Sequence, residues 1–218
     1  MNKIGSYAAV IFDMDGVIVD TEPRHERAFH QVVAEIGYAD RHSLRFADYV
    51  GRTDRVLWEE FVAAHQPPQS LEELLAMKRR KVVEIIRAER PLFQGLPELI
   101  RELSPRVPLA LASGSERAVV DEVLLLDGLR DHFEVTVSGS EIVNGKPEPD
   151  IFLTTASLLG QAPCDCVVIE DSLPGVAAAL AAGIRVVAIT NTHPAAELNQ
   201  ATMVVSDYDQ LRDVLMAP

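Results

Sequence analysis

Cysteine is nearly absent from this sequence, with two residues in 218, Cys164 and Cys166, separated only by Asp165. A lone CxC pair is no disulfide framework and lacks the further ligands of a zinc site, so two reduced thiols in a cytoplasmic protein are expected. Long apolar runs are missing too. Nothing approaches the roughly 18 residues of a membrane span, and the Ala8–Phe12 run is cut off at once by Asp13 and Asp15, so it is no signal-peptide core. Positive charge is scarce, 20 Lys and Arg against 33 Asp and Glu for a net charge of −13. That balance argues against nucleic acid or an anionic membrane as partner, because both reward basic surface. Internal repeats and low-complexity tracts are absent. What remains, 48% hydrophobic and 24% charged, is ordinary globular composition. The length suits one domain, or one domain carrying a smaller insert.

The charge is unevenly placed. Residues 22–90 hold 12 Lys/Arg against 12 Asp/Glu, so the remaining 149 residues carry the whole −13. Those outer stretches alternate short apolar runs with helix-like segments. The runs at 8–12, 108–112, 135–137, 166–169, 185–189 and 203–205 are rich in Val and Ile and unalternated, as expected of strands buried on both faces. Pro97, Asp150 and Pro174 open the helical segments between them, and Gly160 and Gly183 stop the last two. The interval 22–90 reads as helices only: one from Pro23 to Gly37, a second from Thr53 to His65, and a third opening on Ser70-Leu71-Glu72-Glu73, which has capping-box spacing. The expected fold is therefore α/β, a doubly wound, mainly parallel (Rossmann-like) sheet with an inserted helical domain. The expected boundaries are 1–20 and 91–218 for the core and 21–90 for the insert.

Chemistry-bearing residues gather where strands end, which is where ligands bind in open parallel sheets. Phe12-Asp13-Met14-Asp15-Gly16 places two acids past the first strand. Leu111-Ala112-Ser113-Gly114-Ser115 offers a hydroxyl and backbone N–H groups before a helix, a setting that suits an anion. Lys146 is one of only two lysines outside the helical interval. Ile169-Glu170-Asp171 supplies a second acid pair. Each feature alone has an ordinary reading as turn or solvated surface. Together, Asp13, Asp15, Glu170 and Asp171 on one sheet edge would repel one another unless a cation sat among them, and a hard, oxygen-liganded ion such as Mg²⁺ answers that. Lys146, Ser113 and the Gly114 amide would then complete a setting for a phosphoryl group.

In the residues Asp13-Met14-Asp15-Gly16-Val17-Ile18-Val19-Asp20-Thr21 the chain resembles the haloacid dehalogenase superfamily, whose signature is DxDGxxxD(T/S), in the branch with a helical cap after the first strand. The resemblance covers essentially the whole chain. It implies Asp13 as nucleophile toward phosphorus and Asp15 as general acid/base. It also implies Ser113 and Lys146 at the phosphate, and Glu170 and Asp171 with the two first acids at Mg²⁺. The second acid distinguishes phosphoryl transfer from dehalogenation. A signalling receiver module would lack both that acid and the helical insert.

Within that branch the sequence is most similar to β-phosphoglucomutase and related sugar-phosphate and phosphoglycolate phosphatases. Thr21 matches, and His25 falls where the mutase has a histidine tied to cap closure, although a first-turn surface histidine would read the same. The departures are Glu116 and Arg117 in place of a Lys-Asn pair, and Asp54 in place of a cap arginine. Arg52 or Arg55 could reach a distal phosphate or serve only the surface. Acids at 54 and 116 would weaken the grip on a second phosphate, which favours water as the final acceptor and phosphatase over mutase. The expected substrate is a small phosphorylated metabolite, and the expected state a monomer.

Overall fold

The computed structural model describes residues 4–49 and 54–216. In chain order, strand β1 (Ala9–Phe12) is followed by helices α1 (Glu22–Glu35), α2 (Asp54–His65), α3 (Leu71–Glu89) and α4 (Leu96–Leu103). Then come β2 (Leu109–Ser113), α5 (Arg117–Leu125), β3 (Val135–Ser138), α6 (Asp150–Leu158), β4 (Cys166–Glu170), α7 (Leu173–Ala181), β5 (Arg185–Ile189), β6 (Met203–Val205) and α8 (Tyr208–Met216). The chain folds as two compact units, Met1–Asp20 with Pro91–Pro218, and Thr21–Arg90.

The first unit is a six-stranded sheet in the order β3-β2-β1-β4-β5-β6, with every pairing parallel. β1, β2 and β4 are buried along their whole length, as their Val, Ile, Leu and Ala content requires when helices cover both faces. One cluster joins Ile11, Ala110, Val168 and Val186 to Phe152 of α6 and Val176 of α7. The helices start where their sequences say. Pro lies in the first two positions of α1, α4 and α7, where its missing N–H costs nothing. The Ser172 hydroxyl accepts from the Gly175 N–H at 3.1 Å. Register places the strand ends level: Phe12 pairs with both Leu111 and Ile169. Asp13 therefore leaves β1 beside the last residues of β2 and β4. The order also reverses direction around β1 and β4, the crevice that doubly wound sheets use for ligands.

The helical unit packs Phe29, Trp58 and Phe61 at its centre, all fully buried. Trp58 stands 5.3 Å from both of the other rings, in the tilted and edge-on arrangements aromatic quadrupoles prefer. Ser70 and Glu73 form a reciprocal capping box at the start of α3. Among the described residues, no helix is long and apolar enough to cross a membrane.

Candidate active site at the strand ends

The turn after β1 is tight. The Gly16 N–H donates to the Val19 carbonyl at 2.9 Å and the Ile18 N–H to the Met14 carbonyl at 2.8 Å, while Met14 and Val17 to Val19 are fully buried. These apolar anchors hold Asp13, only 4% exposed, in line with β1, with Asp15 one turn further on.

Lys146 reaches this point from the segment before α6. Its Nζ donates to Asp13 Oδ1 at 2.5 Å and to Glu170 Oε1 at 2.7 Å, and lies 4.9 Å from the centre of the Phe152 ring. Burial alone would lower the ammonium pKa, but the carboxylates of Asp13 and Glu170 outweigh it and raise it, so Lys146 stays cationic. One cation cannot neutralise the whole acid cluster. Asp13 is therefore still held well above the ordinary carboxylate range, chiefly by burial. Lys146 pulls it down, and Glu170, Asp15 and Asp171 push it up. Asp171 is raised to about 7 by burial and by Glu170, against a lowering contribution from its hydrogen bond with Thr192.

Ser113 and Ser115 converge on Asp15. Both hydroxyls donate to its Oδ2, at 2.9 and 2.8 Å. The Ser115 N–H in turn donates to Ser113 Oγ at 3.0 Å. Gly114 lies exposed between them, with no heavy atom within 4 Å of where a Cβ would stand. Ser115 carries as much of the Asp15 contact as Ser113 does, and its sequence position beside Ser113 is the signal that would have found it.

Glu170 is bonded through both carboxylate oxygens. Its Oε1 accepts from Lys146, and its Oε2 accepts from the N–H groups of Asp171 and Ser172 at 2.8 Å and the Ser172 hydroxyl at 2.9 Å. A Cβ on Gly175 would lie 1.7 Å from Glu170 Oε1, so the first turn of α7 admits this carboxylate only because residue 175 has no side chain. With both oxygens engaged by donors, Glu170 anchors Lys146. Among the described residues, no three Asp, Glu, His or Cys side chains meet in ligating geometry. The donor chemistry nevertheless suits a hard divalent cation. Asp13, Asp15 and Asp171 lie close enough that each acid neighbour raises the Asp13 carboxyl pKa. A Cβ on Gly16 would stand 1.8 Å from Asp171 Oδ2, so Asp171 approaches the Asp15 turn through space only glycine leaves open.

In the helical unit, His25 Nδ1 is 3.1 Å from Lys78 Nζ. Lys78 is fully buried, ion-paired with Asp54, and 5.3 Å from the Phe46 ring centre. The expectation that Asp54 presents a repelling charge to a second phosphate therefore changes, because that charge is compensated by Lys78. Nothing in the Lys78-Arg79-Arg80-Lys81 run marks which of the four is buried except its place on the apolar face of α3. Arg52 lies outside the described residues. Arg55 is bonded to Glu72 at 2.7 Å. Arg117 donates to the Thr136 carbonyl at 3.0 Å and pairs with Glu141.

The family described as haloacid dehalogenase-like hydrolase matches residues 7–183. Fructose-1-phosphate phosphatase YqaB of Escherichia coli is 32% identical over 183 residues, covering 83% of this chain and 95% of that protein. Hexitol phosphatase B of the same species is 32% identical over 206 residues, covering 91% and 89%. The crystal structure of CbbY from Rhodobacter sphaeroides in complex with phosphate superposes with a TM-score of 0.82 at 27% identity, covering 94% of this chain and 96% of that one.

Proposed function

The chain belongs to the haloacid dehalogenase-like hydrolases, and from that premise we propose that it is a divalent-metal-dependent phosphatase of a small phosphorylated sugar or sugar alcohol. The observation that carries the reading is the Lys146 ammonium set between Asp13 and Glu170, with Asp15 held beside them by two serine hydroxyls.

Asp13 attacks phosphorus and forms an aspartyl phosphate, dividing the reaction into two displacements. Lys146 offsets the negative charge of the attacking carboxylate and the arriving phosphoryl oxygens, and Glu170 fixes its height at the sheet edge. The Asp15 carboxyl, oriented by Ser113 and Ser115, delivers a proton to the leaving alkoxide and then takes one from the water that resolves the intermediate. Mg²⁺, which Asp13, Asp15 and Asp171 would hold, supplies further positive charge against the phosphoryl group when bound. Hydrolysis is preferred to mutase chemistry because relatives such as YqaB and hexitol phosphatase B bear the names of phosphatases. Arg55 and Arg117 are also already engaged with Glu72 and Glu141. In this reading the helical unit is the substrate-selecting cap.

The test is turnover of p-nitrophenyl phosphate and a panel including fructose 1-phosphate and hexitol phosphates, with Mg²⁺ and with chelator. Wild-type protein should release phosphate only with Mg²⁺, and Asp13→Asn should lose about three or more orders of magnitude in kcat. An Asp13→Asn variant retaining a tenth of wild-type kcat would sink the assignment.

A further inference from the structure

The segment leaving β5 has no part in the chemistry above, yet it grips both sides of the acid cluster. Asn191 Nδ2 donates to the Gly16 carbonyl at 2.7 Å and to the Tyr208 hydroxyl at 2.9 Å. That hydroxyl donates onward to the Val17 carbonyl. The next residue, Thr192, donates its hydroxyl to Asp171 Oδ2. A Cβ built on Gly16 (φ +82°) would lie 1.8 Å from Asp171 Oδ2 and 2.8 Å from Thr192 Oγ1. Two consecutive side chains thus hold the turn carrying Asp15 by its backbone and Asp171 by its carboxylate. Tyr208 is itself buried against the ring of Phe93, with ring centres 5.9 Å apart.

We infer that Asn191 and Thr192, braced by Tyr208, are positioning residues that set the spacing between Asp171 and the Asp13–Asp15 turn for cation binding. Asp13 and Asp171 directly follow neighbouring strands β1 and β4, but the sheet fixes only their backbone. The Asp171 carboxylate has free side-chain torsions, and the Gly16 carbonyl belongs to a turn that could pivot. A donor to each, both from one dipeptide at the end of β5, removes these freedoms together. The role rests on the metal-dependent reading above and adds to it which residues tune the cation affinity.

The experiment measures Mg²⁺ binding to the full chain by titration calorimetry, independently of turnover. Thr192→Val keeps the shape and deletes the donor, and is expected to weaken Mg²⁺ binding about 10-fold. Thr192→Ser restores the donor and should bind within about two-fold of wild type. At saturating Mg²⁺ the KM for p-nitrophenyl phosphate should be unchanged, since neither residue is placed at the substrate. Should Thr192→Val fail to fold, Thr192→Ala and Asn191→Ala are read by the same criterion. Wild-type affinity in the folded variant lacking the donor, alongside loss in Asp171→Asn, overturns this inference alone. A Thr192→Ser variant as weak as Thr192→Val overturns it as well, because affinity would then not follow the presence of the donor. Wild-type protein that takes up no Mg²⁺ overturns the metal reading and this inference with it.

Discussion

Replacing Lys146 with Met removes the one cation bonded to Asp13 and Glu170 while leaving both acids buried, at 6% and 1% side-chain exposure. With an effective dielectric of about 20, charges at these separations of 2.5 and 2.7 Å attract by about 6–7 kcal/mol each. Most of that gross attraction offsets the desolvation of the three groups. Removing one partner of a buried pair and stranding the other costs about 3–5 kcal/mol. For a protein of this size that corresponds to a fall in Tm of roughly 6–20 °C. The sign of the pH dependence follows from the same charges. Asp13 is already raised above its ordinary value, and without Lys146 it rises further. The folded variant then holds a proton that the unfolded chain has lost, and the penalty is full above the folded pKa and fades as pH falls through it. Thermal melts of wild type and Lys146→Met at pH 8 and pH 5, in chelator, test this, with kcat on p-nitrophenyl phosphate measured alongside. A variant melting within about 2 °C of wild type at pH 8 would refute the claim that Lys146 holds the acid cluster together.

Three further outcomes are expected. With Asp171 raised to about 7 from an ordinary 3.8, the folded protein in chelator binds more protons than the unfolded chain between those values. Stability from this group therefore falls as pH rises through that window, and Asp171→Asn should gain Tm over wild type at pH 8 but not at pH 4; a pH-independent difference would count against the shift. Gly175→Ala would drive a Cβ to 1.7 Å from Glu170 Oε1, so a loss of about 1–3 kcal/mol and a reduced kcat are expected in urea melts and steady-state assays; a silent substitution would show that Glu170 is not wedged against α7. In the helical unit Lys78 has 1% side-chain exposure and Asp54 has 34%, so Asp54→Asn should cost about 1–3 kcal/mol by stranding the lysine and Lys78→Met should cost less. Fluorescence of Trp58, the single tryptophan, reports that unit during urea unfolding, and the reverse order would reject the burial argument.

Several features were open to reading from the chain because their signals are local. Buried parallel strands are continuous Val/Ile runs, so β1, β4 and β5 could be placed from the runs at 8–12, 166–169 and 185–189 without coordinates. Ser70 with Glu73, and Pro in the first turn of α1, α4 and α7, mark helix starts through bonds made within a few residues. α8 (nine residues) is less legible although Tyr208, Leu211 and Leu215 have helical spacing, because three apolar positions over about two turns make a weak periodic signal.

Asp13, Asp15, Ser113, Lys146, Glu170 and Asp171 could be named as a group because strand ends in a parallel sheet converge by topology. Which acid does what could not be read from the chain. Glu170 and Asp171 are adjacent and chemically alike, and only the path of α7 past Gly175 turns one toward Lys146 while Gly16 admits the other to the Asp15 turn. Asn191, Thr192 and Tyr208 lie some 20 to 40 residues beyond the last motif, in a segment with no distinguishing composition. Their partners are single hydrogen bonds across 21 to 191 residues of sequence. Asp54 likewise looked like an unpaired repelling charge until the packing of α3 brought Lys78 against it. A residue type and its spacing determine what it can bond within its own turn, whereas the partner of a long-range side chain is chosen by the register of strands and the packing of helices, which only the folded chain decides.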